Sequence, residues 1–158
     1  MTDPSNAADN AGGDTEVGVV SITRTLKATP EQVFEAWTDA DQMKLWLYPA
    51  PGIYAEADCD PVVGGHYRLV KIFDWGARVV SGEYLVVEPP HRLVFTWAAD
   101  DWGPDTRPSQ ITVTLLPDGD ATEMTIVHEQ LPNPRIFGGA KLAWVSVVDR
   151  LEETLRTS

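Results

Sequence analysis

Among the residues able to do chemistry, His128 is singled out by its neighbours. In the run Glu123–Gln130, Met124, Ile126 and His128 alternate with Thr125, Val127 and Glu129. Period-two alternation places the first three side chains on one face of a strand. An imidazole among apolar neighbours has two readings. Either it orients a bound molecule, or serves as a general base near neutral pH, or it is a core histidine bonded to a neighbour. The sequence leaves both open. His66 and His91 flank turns and belong on the surface. The three histidines and the single Cys59 have no ligand spacing, so no metal site is expected. Asp100, Asp101 and Asp105 lack the spacing of a calcium loop. A nucleophile elbow and a phosphate loop are both missing. Gly64-Gly65 precedes a strand rather than a helix and reads as a bend or bulge. Arg68 and Glu83 are cross-strand partners or polar groups of a cavity. No catalytic residue and no cofactor is assigned.

The elements that must position these groups are readable from periodicity. The last stretch carries Trp144, Val148, Leu151 and Leu155 at spacings of four, three and four, with Leu142 and Val145 beside them. Such a stripe belongs to one side of an α-helix, here expected over Ala140–Arg156, roughly 25 Å long at 1.5 Å per residue. A first strand begins at Val17. Thr29-Pro30-Glu31-Gln32 then carries a capping box that opens a short helix. Asp39 to Trp46 starts a second short helix, capped by Asp39, and Tyr48-Pro49-Ala50-Pro51-Gly52 ends it. Six strand-like runs succeed one another without an intervening helix: Ile53–Asp58, His66–Phe73, Val79–Glu88, Leu93–Ala98, Ser109–Leu116 and Glu123–Gln130. Consecutive strands with short turns form an antiparallel meander. The expected fold is therefore α+β: a curved antiparallel sheet of six to seven strands, two short helices after the first strand, and a long C-terminal helix across the sheet. A space is left between helix and sheet.

Several segments, in this order and spacing, carry a resemblance. They are Ala36-Trp37-Thr38-Asp39, Trp46 with Pro49, Gly64-Gly65-His66-Tyr67-Arg68, Pro89–Trp97 and Thr122–His128. Over Val17 to about Leu155 the chain resembles the activator-of-heat-shock-protein-90-ATPase homologue family. That family lies within the START/SRPBCC superfamily of birch-pollen-allergen-like helix-grip folds. Two departures stand out. The family often opens its last helix with Gly-Trp, where this chain has Ala143-Trp144, and Leu47 replaces the second Trp of a pair beginning at Trp46. The resemblance implies a hydrophobic cavity between the curved sheet and the last helix. The residues expected to line it are Trp46, Tyr67, Leu69, Phe95, Trp97, Val113, Met124, Ile126, His128, Trp144 and Val148. Six tryptophans exceed what packing alone needs in a domain of this size. Trp37 reads as ordinary core, whereas Trp46, Trp75 and Trp102 fall in or near connections, where cavity mouths form.

Composition narrows the rest. A chain of 158 residues with one cysteine is a single domain able to bury a core without staples. Residues 1–16 have almost nothing to bury and are expected to form a disordered acidic tail, leaving 17–158 as the domain. The N-terminus lacks the basic and apolar parts of a signal peptide, and no run reaches the length of a membrane span, so a cytoplasmic protein is expected. A net charge of −12 repels phosphate backbones and anionic lipid, which disfavours nucleic acid and membranes as partners. Three functions remain. The first is binding of a small hydrophobic or aromatic molecule, lipid-like or polyketide-like, in the cavity. The second, which the resemblance implies, is an interaction that activates a chaperone ATPase. The third is an enzyme of the cyclase/aromatase type.

Overall fold

The computed structural model describes residues 18–47, 56–103 and 105–156. The tail expected at 1–16, the segment Tyr48–Gly52 and the first residues of the strand expected at Ile53–Asp58 lie outside these. Strand β1, Val20–Leu26, leads into helix α1, Pro30–Thr38. Both halves of the capping box at Thr29 and Gln32 form, and Pro30 takes the first helical position, where its missing N–H costs nothing. Asp39 ends α1 and caps α2, Ala40–Trp46, by accepting from the Asp41 N–H. Then come β2 (Glu56–Cys59), β3 (His66–Phe73), β4 (Gly76–Glu88), β5 (Arg92–Ala99), β6 (Ser109–Asp118) and β7 (Ala121–Glu129). A short turn of 3-10 helix, Asp100–Trp102, follows β5.

The seven described strands form one antiparallel sheet in the order β1-β7-β6-β5-β4-β3-β2. From β2 to β7 the chain is a meander, and β1 closes it by pairing with β7, Val20 opposite His128 and Leu26 opposite Thr122. The expected alternation holds on β6 and β7, whose buried residues include Ile111, Val113 and Leu115, and Met124, Ile126 and His128. The Gly64-Gly65 bend forms: Gly64 has a φ of +87°, and a Cβ on Gly65 would lie 2.0 Å from the Asp60 carbonyl oxygen. Strand β4 begins earlier than expected. Phe73 and Gly76 pair across the two-residue turn Asp74-Trp75, which draws Ala77 and Arg78 into the strand.

Helix α3 spans Pro134–Arg156 and starts six residues before the expected Ala140. Asn133 supplies the reason: its side-chain oxygen accepts from the Ile136 N–H at 2.9 Å, and its carbonyl accepts from the Phe137 N–H. The buried stripe is Ile136, Trp144, Val147, Val148, Leu151 and Leu155. Leu142 and Val145 do not belong beside it. They are 80% and 52% exposed, because each is turned off the stripe and away from the sheet. On one flank of α3 the Arg24 guanidinium, from the inner face of β1, pairs with Asp149 at 3.0 Å and Glu152 at 2.8 Å.

Candidate functional site

Across the middle of the inner face lie Tyr67, Gly82 and Trp97, at matching register positions of β3, β4 and β5. Gly82 is required there, since a Cβ would come within 1.9 Å of the Thr96 carbonyl oxygen and 2.7 Å of the Tyr67 ring. Without that side chain, Tyr67 donates its hydroxyl to the Thr96 carbonyl at 2.5 Å, and its ring lies 6.3 Å from that of Trp97. Burial raises the Tyr67 phenol well above its ordinary pKa, so it remains a donor.

His128 faces the same side from β7 and is 2% exposed. The Trp144 indole N–H donates to Nδ1 at 2.9 Å, and Nε2 lies 2.7 Å from the Ser109 hydroxyl. An indole N–H can only donate, so Nδ1 carries the lone pair and Nε2 the proton. The chain of bonds then runs one way, from Trp144 through His128 and Ser109 to the Trp97 carbonyl, 2.8 Å from the Ser109 hydroxyl. Burial lowers the imidazole pKa to about 3. Of the two readings of His128, this geometry supports the core histidine bonded to its neighbours.

Between the N-terminal half of α3 and the open end of the inner face lies a cleft of about 280 Å³. Its walls are Trp97 and Trp102 from the sheet side, Leu47 from the end of α2, and Ile136, Trp144 and Val147 from α3. The cleft exists because the facing side of α3 is small. Gly139, Ala140 and Ala143 line it, and a Cβ on Gly139 would meet nothing within 4 Å. Leu47 is the residue standing where the family resemblance led one to expect a second Trp. The mouth is polar, with Arg78, Asp101 and Arg135. Arg78 Nε donates to Asp101 at 3.1 Å.

Of the residues expected to line a cavity, Trp97, His128 and Trp144 meet at this cleft. Trp46, Leu69, Phe95, Val113, Met124, Ile126 and Val148 instead pack in the buried core behind it. Trp46 is closed off by Trp37, ring to ring at 4.6 Å, and its N–H donates to the Ala36 carbonyl. Tyr67 is likewise core, with its edge towards a shallow groove on the outer face. Arg68 lies on that outer side and pairs with Glu56 at 3.1 Å rather than with Glu83. Trp75 stacks on Phe73 and is 70% exposed, away from the cleft. Alternation identifies side chains that face inward, but not whether neighbours fill the space in front of them. Arg78, Arg135 and Gly139 escaped the sequence reading because both β4 and α3 begin earlier than the spacing of large apolar residues indicates. The Asn133-Pro134 pair, a cap followed by a first-turn proline, was the available signal. Among the described residues no group of three or more His, Cys, Asp or Glu could hold a metal ion, and no helix is long and apolar enough to cross a membrane.

A seven-stranded antiparallel sheet gripping a C-terminal helix, with a cleft between them, defines an α+β helix-grip domain. Within that class, the chain belongs to the family described as Activator of Hsp90 ATPase homolog 1-like protein, whose model matches residues 27–156. No curated protein matches the chain. Among solved structures it is similar to protein CV1439 from Chromobacterium violaceum, with 26% identity, a TM-score of 0.77, and coverage of 87% of this chain and 96% of that one. It is also similar to protein MLL2253 from Mesorhizobium loti, with 29% identity, a TM-score of 0.71 and coverage of 89% and 98%. The Q3J4M4_RHOS4 protein from Rhodobacter sphaeroides is 25% identical, with a TM-score of 0.77 and coverage of 90% and 95%.

Proposed function

We propose that this protein binds a small apolar or aromatic molecule in the cleft between α3 and the open end of the sheet. One observation carries the reading. A mostly apolar cleft of about 280 Å³, walled by three indoles, is kept open by a helix face built from Gly139, Ala140 and Ala143. Pockets for small molecules combine apolar walls with a few placed polar groups, and this cleft has both. The volume suits a ligand of two or three fused rings, which favours compact aromatic molecules over long lipid chains. His128 shapes the wall, accepting from the Trp144 indole and linking through Ser109 to the Trp97 carbonyl. Its neutral, doubly engaged ring argues against the general-base role that a cyclase reading would give it.

A second reading, interaction with a chaperone ATPase, takes its support from the description of the family. It calls for a partner-facing surface rather than a cleft, and the indole-lined space favours the first reading. Titration of the protein with naphthamide, followed by tryptophan emission, separates the two. Saturable quenching is expected in the native protein. It should be lost in Ala143→Leu, whose side chain would fill the cleft. Absence of any saturable change in the native protein would remove the small-molecule reading.

A further inference from the structure

The mouth of the cleft carries two guanidiniums, Arg78 and Arg135. Lys71 and Arg78 are direct partners in the β3–β4 register and share the inner face of the sheet. Like charges placed opposite each other on one face of a sheet are destabilising. Just beyond the Val80–Ala99 pair, Arg78 meets Asp101 of the 3-10 turn, their side chains at 3.1 Å. Two more cations come from α3. Arg135 stands at the helix start and lines the cleft, and Arg150 lies on the flank marked by Gly139, Ala143 and Val147. Lys71 is only 6% exposed, and its amine is pushed down to about 8, by burial first and then by Arg78 and Arg150. Two of the twelve basic residues of a chain with net charge −12, Arg78 and Arg135, thus line one opening, with Lys71 beside Arg78 in the sheet. Among the described residues lining the cleft, Asp101 is the one carboxylate, facing two guanidiniums. Solubility does not explain this cluster, because the rest of the molecule supplies solubility with the opposite sign.

We propose that the ligand of this cleft is an aromatic or apolar carboxylate, its anionic group held between Arg78 and Arg135 at the mouth and its apolar body against Trp97, Trp102 and Trp144. The proposal rests on the cleft-binding reading and deepens it. Interior polar groups cannot orient the ligand, since His128 and Ser109 are engaged with each other and with Trp144 and Trp97. Orientation therefore falls to the mouth. Guanidinium forks match a carboxylate in two parallel hydrogen bonds, and Arg78 uses only its Nε on Asp101. Arg135 makes no ion pair among the described residues, and its fork is available.

Calorimetric titration with naphthoate and with naphthamide tests this, because the two share a ring body and differ in charge. Naphthoate should bind the native protein roughly tenfold more tightly, the difference expected where charge-assisted hydrogen bonds replace neutral ones. Arg135→Gln, an exposed change, should shrink that preference by weakening naphthoate more than naphthamide. The double variant Arg78→Gln with Arg135→Gln should abolish it. Asp101→Asn should increase it, an opposite sign that general damage to the site would not produce. If naphthamide binds the native protein as tightly as naphthoate, and Ala143→Leu blocks both, the anion site is wrong while the cleft reading stands. If neither compound binds the native protein, both fall together.

Discussion

Protonating His128 would put a proton on Nδ1, facing the indole N–H of Trp144 at 2.9 Å, inside a nearly water-free wall. Burial, which penalises the charged ring, lowers its pKa from 6.5 to about 3. As pH falls, the unfolded chain takes up this proton first. The stability gained by keeping the ring neutral is therefore complete above pH 6.5 and is lost progressively towards pH 3. A full shift of that size corresponds to about 5 kcal/mol. Denaturant unfolding across this window should lose stability more steeply in the native protein than in His128→Gln, and parallel curves would contradict the assignment. The imidazole should keep its proton on Nε2 throughout the neutral range, which its ring nitrogen resonances report directly. The sequence made the inward position of His128 legible through Met124 and Ile126. Its bonding was not legible, because Ser109 and Trp144 come from distant segments and only the register of β6 against β7 and the rotation of α3 bring them together.

Helix α3 is the element on which the account turns. Its far half closes the core with Val148, Leu151 and Leu155, while its near half keeps the cleft open with small residues. Leu151 is fully buried, so Leu151→Ala should cost about 2–5 kcal/mol in chemical denaturation. Leu142→Lys should change stability by no more than ~0.5 kcal/mol, since that side chain is already in solvent. A large loss in Leu142→Lys would restore the broader stripe that spacing suggested. Arg24 touches α3 from β1 through partly exposed ion pairs, and Arg24→Ala should cost ~1 kcal/mol or less. Spacing made the far half of this helix legible, where large apolar residues recur every three or four positions. The near half has Gly138, Gly139 and Ala140 in place of such residues, and so hides the part of the helix that matters for binding.

Taken whole, the molecule sets a strongly acidic surface against one indole-lined opening with a basic rim. Order of elements and antiparallel meander were legible because each strand is separated by its own turn residues, and the capping box at Thr29 marked where the first helix begins. Which inward residues border empty space was not, because that depends on how closely α3 approaches the sheet. The protein has six tryptophans, and their environments make the most direct test possible. In a proton–nitrogen correlation spectrum, each indole N–H gives its own signal, and naphthamide can be titrated in while all are watched. Saturable shifts are expected at Trp97, Trp102 and Trp144, which line the cleft, with Trp37 and Trp46 in the closed core and Trp75 on the surface left unmoved. Saturable shifts confined to Trp75, or no shift at any indole up to the solubility limit of the probe, would contradict binding in the cleft.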